Sequence, residues 1–345
     1  MRIVVTGAAG RLGSAIVRHL TSLMSAFDLV LAVHSPDLAP EWLKRCGAGV
    51  CAVDYARPPT LEAAFEGANV VVLVSHPSIE IEPRVEMHRN VIDAAVKKGV
   101  RHIFYTSQAF GGNLESTSRA HVMQAHLATE AYLASIASPF PPSSSSSPSS
   151  TASSVNSKSS SSSETHGVTY TIMRQGIYSE SYPLYLGFFD PEHPAAEVAL
   201  PDDGGRGVTW AARDDLGEAM AKLVHCYAYE AECFPFINET VLLSGPEALS
   251  LERVAEVVGC LLNKTIAIKR VSSIDDYIER YGEAARRDPR VGNHIREWAT
   301  VYEAIRAAEC EVLTPTLEDW LGRPPESFEE TIKKTLLSSR QTQER

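Results

Sequence analysis

The first half of the chain is built from short unbroken apolar runs that alternate with stretches whose apolar residues recur at helical spacing. The runs fall at residues 3–5, 29–33, 49–53, 70–74 and 103–106, each bounded by Gly, Pro, Asp or Ser. Between them, residues 14–24, 61–65 and 87–97 read as helices. Strands that are apolar on both faces and separated by helices predict an α/β fold with a parallel sheet covered on both sides.

The pattern continues as a helix over residues 124–135 and a strand over 167–173, separated by a run of about 139–165 that is almost wholly serine and proline. Such a segment cannot bury enough apolar area to offset the entropy of ordering it. It is expected to be a disordered insertion that lengthens one helix-to-strand connection, at only about 0.6 kcal/mol per doubling of loop length. A linker or a phosphorylated segment is the alternative. Beyond it come a turn at Asp202, Asp203, Gly204 and Gly205, a helix over 214–229 and a strand over 239–243. Ser250 is placed as the N-cap of a helix with apolar positions Leu251, Val254, Val257, Val258, Leu261 and Leu262. The rest of the chain is expected to be helical and carries no chemical motif.

Composition narrows the class. With 345 residues, 44% hydrophobic and 22% charged, the chain can build a large core. A net charge of −11 argues against nucleic acid as a partner and leaves a small molecule as the expected one. The six cysteines show no C-x-x-C pair or His/Cys cluster, which predicts reduced thiols and no metal site. The apolar stretch at the start is too short for a targeting segment and the longest later run, 70–74, too short for a bilayer, so no membrane association and a cytoplasmic location are expected.

The chemistry is concentrated where the first strand ends, in Thr6-Gly7-Ala8-Ala9-Gly10-Arg11-Leu12-Gly13. A strand, a glycine turn and a helix N-terminus together form a cradle for a dinucleotide pyrophosphate. Gly7 permits the turn, Gly10 lets backbone N–H groups approach phosphate oxygens, and Gly13 lets the helix lie close to the strand. An ordinary glycine-rich turn is the bland alternative. The turn points to a Rossmann-type doubly wound sheet, spanning residues 1–182. Residues 183–345 then form a smaller, mostly helical α/β region that closes over the nicotinamide end and shapes the substrate pocket, with about 207–245 returning to the first domain.

The end of the second strand decides the cofactor. An acid there would grip ribose hydroxyls and repel a 2′-phosphate by about 4 kcal/mol at about 4 Å. The chain has Val33-His34-Ser35-Pro36 instead, and Arg11 is within the glycine turn. NADP(H) is therefore preferred, with His34 and Ser35 as further donors, and NAD(H) remains possible. Asp54 and Tyr55 after the third strand suit the adenine. Ser75 and His76 after the fourth strand, and Thr106 and Ser107 at the end of the fifth, lie where ligands bind in open α/β sheets.

Several of these segments, with His88-Arg89-Asn90-Val91-Ile92-Asp93-Ala94-Ala95, residues 99–107, residues 169–180 and Arg213-Asp214-Asp215-Leu216, resemble the NmrA-like, atypical short-chain dehydrogenase/reductase family. Within it the type 2 NAD(P)H:quinone oxidoreductases are the nearest group. The resemblance implies a cleft between the two regions where hydride passes to a quinone-like acceptor. The Tyr-x-x-x-Lys pair of ordinary short-chain dehydrogenases is missing, and a Lys of the quinone reductases is replaced by Ala131. The resemblance makes His126 the candidate proton donor, since it lies where reductases of the related isoflavone type place a lysine, and an unperturbed imidazole, titrating at about 6.5, would shuttle protons near neutrality. Tyr178 is expected to line the nicotinamide or acceptor pocket.

Two functions of different class compete: an NAD(P)H-dependent oxidoreductase acting on a quinone or similarly conjugated acceptor, and a non-catalytic NADP-binding redox sensor that engages a protein partner. An epimerase or dehydratase acting on a nucleotide sugar would also want the missing Tyr/Lys pair and ranks last.

Overall fold

The structure is a computed structural model that describes residues 1–138 and 167–343; the serine-rich run at about 139–165 lies outside the described residues. Strand and helix alternate through β1 (Ile3–Thr6), α1 (Arg11–Leu23), β2 (Leu29–Val33), α2 (Glu41–Arg45), β3 (Gly49–Ala52), α3 (Pro58–Ala64), β4 (Val70–Leu73), α4 (Ile81–Lys97), β5 (His102–Gln108), α5 (His121–Ile136) and β6 (Thr169–Gln175). There follow β7 (Ile177–Tyr178), α6 (Tyr182–Tyr185), β8 (Glu197–Leu200), β9 (Val208–Ala211), α7 (Arg213–Glu230), β10 (Glu239–Leu243), β11 (Ala248–Leu249), α8 (Leu251–Leu262) and β12 (Ala267–Arg270). The chain closes with α9 (Ile274–Arg287), α10 (Ile295–Arg306), α11 (Thr316–Leu321) and α12 (Phe328–Gln343).

Seven strands form one sheet in the order β10-β6-β5-β4-β1-β2-β3, and every pairing in it is parallel. This is the expected Rossmann-type doubly wound sheet. Its strands β1 and β4 are buried along their whole length, which is why they read as unbroken Ile/Val/Leu runs rather than as alternation. The chain winds outward from β1 to β3, returns to the other side of β1 at β4, and so leaves a crevice at the carboxyl ends of β1 and β4.

Helix α1 buries Leu12, Ala15, Ile16, Val17 and Leu20, packing with α7 on one face of the sheet. Each such aliphatic side chain contributes about 1.5–3 kcal/mol on full burial. The other face is covered by α3, α4 and α5 through Leu61, Val91, Ile92 and Leu133. A further core, centred on Tyr185, Trp210, Tyr277, Tyr302 and Phe328, joins β9 to the C-terminal helices.

The last third of the chain is not uniformly helical. Strand β12 pairs in parallel with β8, and β9 pairs with β7 and β11 in a three-stranded sheet. These strands are two to four residues long. The local sequence of β12 alternates only between exposed and half-buried positions, so its pairing comes from a partner far away in the chain.

Candidate functional site

Gly7 adopts φ +60° in the turn after β1, and its carbonyl accepts the Gly10 N–H at 2.9 Å. A Cβ at Gly13 would stand 2.2 Å from the Gly7 carbonyl oxygen, a clash with backbone that cannot move aside. Gly10 caps α1 without a side chain, and no acid occupies the helix's first turn. The N-terminal N–H groups and the positive dipole end are thus left for an anion, so the residues present fit a dinucleotide pyrophosphate.

Gly7, Gly10, Arg11, Leu12 and Gly13 line one end of a cavity of about 920 Å³. The cavity passes His34, Asp54, Tyr55, Ser75, His76, Thr106 and Ser107 and continues to His126, Tyr178 and Trp298. Two of the residues singled out in the sequence do not line it. Thr6 is fully buried beneath the turn, donating to the Val72 carbonyl at 3.1 Å and accepting the Val74 N–H at 3.2 Å, because its hydroxyl ties β1 to β4. Ser35 lies beyond the rim, its Oγ 3.2 Å from His34 Nδ1. Tyr55 faces the cavity with its ring only, since its hydroxyl lies 2.5 Å from Thr6 Oγ1 and 2.9 Å from the Val74 carbonyl. The Asp54 carboxylate accepts the Ala56 N–H at 2.9 Å and so shapes its own turn.

Beneath the middle of the cavity lies a polar cluster that the sequence reading did not assemble. Arg84, only 5% exposed, donates from Nη2 to Ser75 Oγ at 2.7 Å and to His126 Nε2 at 2.7 Å, and from Nη1 to the Ser78 carbonyl at 2.9 Å. Among the described residues no carboxylate pairs with it. Since arginine offers no acceptor, His126 Nε2 carries the lone pair and Nδ1 carries the proton, donated to Tyr105 Oη at 2.9 Å. His88 is fixed in the same sense. Its Nε2 accepts the His76 N–H at 3.0 Å and its Nδ1 faces Thr129 Oγ1 at 2.9 Å.

This corrects the expectation for His126. Burial, and then the positive charge of Arg84, hold its imidazole well below its ordinary titration range. With both nitrogens engaged and the ring 1% exposed, His126 is a neutral acceptor that orients Arg84 rather than a proton shuttle near neutrality. Ala131, where the quinone reductases have a lysine, is exposed. The buried acid one position earlier, Glu130, accepts from Ser107 Oγ at 2.5 Å and is held in a fork by Arg174 Nε at 3.1 Å and Nη2 at 2.6 Å.

Tyr178 reaches the cavity from β7, with its hydroxyl donating to Gln175 Oε1 at 2.5 Å. Burial pushes this phenol up to about 12, with Arg213 acting against the rise. Arg213, at the start of α7, lies over the Tyr178 ring at 5.0 Å from its centroid. Asp288, Pro289, Arg290 and Trp298 complete the far wall. Arg84, Arg213, residues 288–290 and the pocket walls Leu184, Tyr185 and Trp298 are cavity residues that the sequence did not single out as site residues. Three cavity-lining residues also carry buried polar atoms without a partner: Arg84 Nε, Gln108 Oε1 and Trp298 Nε1. Unsatisfied buried groups are rare in folded proteins.

Metal-ligand clustering is confined, among the described residues, to Asp190, Glu192 and His193, all exposed and outside the cavity. No helix of the described residues is long and apolar enough to cross a membrane.

A doubly wound parallel sheet with a glycine turn at its switch point, opening into one cavity, defines a Rossmann-type α/β protein. Residues 1–143 match the model of the NmrA-like family. The chain is 27% identical over 345 residues to the NmrA-like family domain-containing oxidoreductase flvB of Aspergillus flavus, covering 99% of this chain and 96% of that protein. It is 27% identical to quinone oxidoreductase 2 of Escherichia coli over 277 residues, 79% of each chain. The fold is shared with the E. coli NADPH-dependent quinone oxidoreductase QOR2 complexed with NADPH, at a TM-score of 0.72 and 24% identity, covering 97% of this chain and 99% of the other.

Proposed function

We propose that the chain is an NADP(H)-dependent oxidoreductase that reduces a quinone or a similarly conjugated small molecule. The observation that carries this reading is the continuity of the cavity, which joins the glycine turn to a pocket walled by Tyr178, Leu184, Tyr185 and Trp298. Gly7, Gly10, Leu12 and Gly13 would hold the pyrophosphate. The absence of an acid at the end of β2, with His34 on the cavity wall and Arg11 exposed beside the turn, favours a 2′-phosphate. The E. coli relative of this fold is described as NADPH-dependent, in keeping with that preference.

The bound reduced dinucleotide supplies a hydride, two electrons with one hydrogen, and water supplies the proton that completes the reduced acceptor. The chain's own contribution is electrostatic. Arg84, a buried guanidinium without a carboxylate partner, places positive charge under the middle of the cavity, where negative charge develops on the acceptor. A quinone needs no strong acid in the ground state, which suits a site whose His126 stays neutral and whose Tyr178 stays a phenol. Two sequence relatives carry oxidoreductase names, which does not favour a purely sensing protein.

The test mixes purified protein with NADPH or NADH and a panel of quinones and follows nicotinamide absorbance. Oxidation of NADPH faster than NADH by at least one quinone is expected. Tight dinucleotide binding with no oxidation by any acceptor would sink the proposal.

A further inference from the structure

The chain carries a net charge of −11, yet the charged residues lining its cavity are Arg11, Arg84, Arg213 and Arg290 against Asp54 and Asp288. Asp288 is already committed, gripping Arg290 in a fork at 2.9 and 2.6 Å. Arg213 stands apart from the others. Its backbone N–H is held by Glu180 at 3.3 Å, but its guanidinium approaches that carboxylate only to 3.6 Å and makes no hydrogen bond among the described residues. The side chain is 12% exposed, and its open side is the cavity. Burial first, then repulsion from Arg11 and Arg290, works against its charge, opposed by Glu180 and Tyr178. Glu180 is thus an ion-pair partner at 3.6 Å that leaves the guanidinium's hydrogen-bond donors unspent, and with two like charges nearby a further anion on the cavity side would be favoured.

Resting on the reading above, we propose that Arg213 is the anion-recognition residue of the acceptor pocket and that the acceptor is a conjugated molecule bearing a carboxylate. The dinucleotide's phosphates have donors of their own at the uncapped start of α1 and at Arg11. Arg213 instead lies against Tyr178, on the stretch of wall that continues through Tyr185 and Trp298. Those residues make that stretch of wall aromatic, which suits a planar body, and a guanidinium fork beside it can meet a carboxylate with two parallel hydrogen bonds.

Calorimetric binding to the protein loaded with NADP⁺, where no turnover occurs, tests this with anthraquinone-2-carboxylate and its shape-matched carboxamide. The wild type is expected to bind the carboxylate about tenfold or more tightly than the carboxamide. Arg213→Gln abolishes that preference, Arg213→Lys retains part of it, and the NADP⁺ dissociation constant stays within about twofold, since a true contact would be worth about tenfold. An unchanged preference in Arg213→Gln overturns the proposal. So does a loss confined to NADP⁺ affinity, which would assign Arg213 to a phosphate of the dinucleotide. Failure of the oxidoreductase reading shows separately, as absence of NADPH oxidation by every quinone in the panel.

Discussion

Three histidines are buried as neutral rings, and their cost is written into the pH dependence of folding. His102, in the middle strands of the sheet, faces Thr169 Oγ1 at 2.8 Å and Thr171 Oγ1 at 3.0 Å and stacks on Tyr227 at 4.1 Å between centroids. Burial pulls its pKa down to about 3, and His88 and His126 are likewise held well below their ordinary value. In the unfolded chain each titrates near about 6.5. Between those values the unfolded state binds the extra protons, so stability is complete above about pH 6.5 and falls as pH drops, by up to about 1.4 kcal/mol per unit per histidine. Urea midpoints measured at pH 7.5 and 5.5 should show this decline, and His102→Gln should make it shallower by one proton. Equal pH slopes in the wild type and the variant would remove His102 from the account.

At the scale of elements, what could be read from the sequence was whatever is local. Strands β2 and β10 run over the residues predicted for them, and Ser250 caps α8 by accepting the Arg253 N–H at 3.2 Å. Helix α4 begins at Ile81, not at residue 87, because Pro83 fits within a first helical turn that needs no N–H from it. That missed turn contains Arg84, which lies four residues before His88 on the same buried stripe as Val91, Ile92 and Ala95. An Arg and a His at apolar positions were the available signal for the polar cluster. Arg174 and Glu130 gave none, since β6 and α5 come from opposite sides of the serine-rich run and meet only in the fold. Their pairing yields a prediction at this scale. Glu130→Ala leaves Arg174 buried without its partner and should destabilise the protein by about 3–5 kcal/mol. Glu130→Ala combined with Arg174→Met should recover most of that loss in chemical denaturation, and strictly additive effects would show that the two residues act independently.

Across the whole molecule, the cavity depends on segments remote in sequence being fastened together, and Glu309 is the principal fastener. Its carboxylate, on a residue only 8% exposed, accepts from Ser118 Oγ at 2.5 Å, the Arg119 N–H at 2.9 Å and Arg119 Nη1 at 3.3 Å. Its carbonyl accepts the Gly112 N–H at 3.0 Å, and the next carbonyl, of Cys310, accepts the Thr209 N–H at 2.9 Å. A few residues on, Thr314 Oγ1 donates to the Leu242 carbonyl at 2.8 Å and its N–H to Ser244 Oγ at 2.8 Å. One short stretch after α10 therefore stitches the loop before α5 to β9 and to the edge strand β10. Helix α5 supplies Val122 and His126 to the cavity, and α10 supplies Trp298, so the two walls are held in register by this stretch. Glu309→Ala removes the acceptor of the partly buried Arg119 N–H and Ser118 hydroxyl and should cost about 0.5–1.5 kcal/mol in urea unfolding. Amide exchange should rise across residues 111–119 while the first turn of α1 keeps its protection, because the glycine turn shares no bond with Glu309. A uniform rise across both regions would mean that the walls and the dinucleotide cradle open as one unit, and the separation between them argued here would fall.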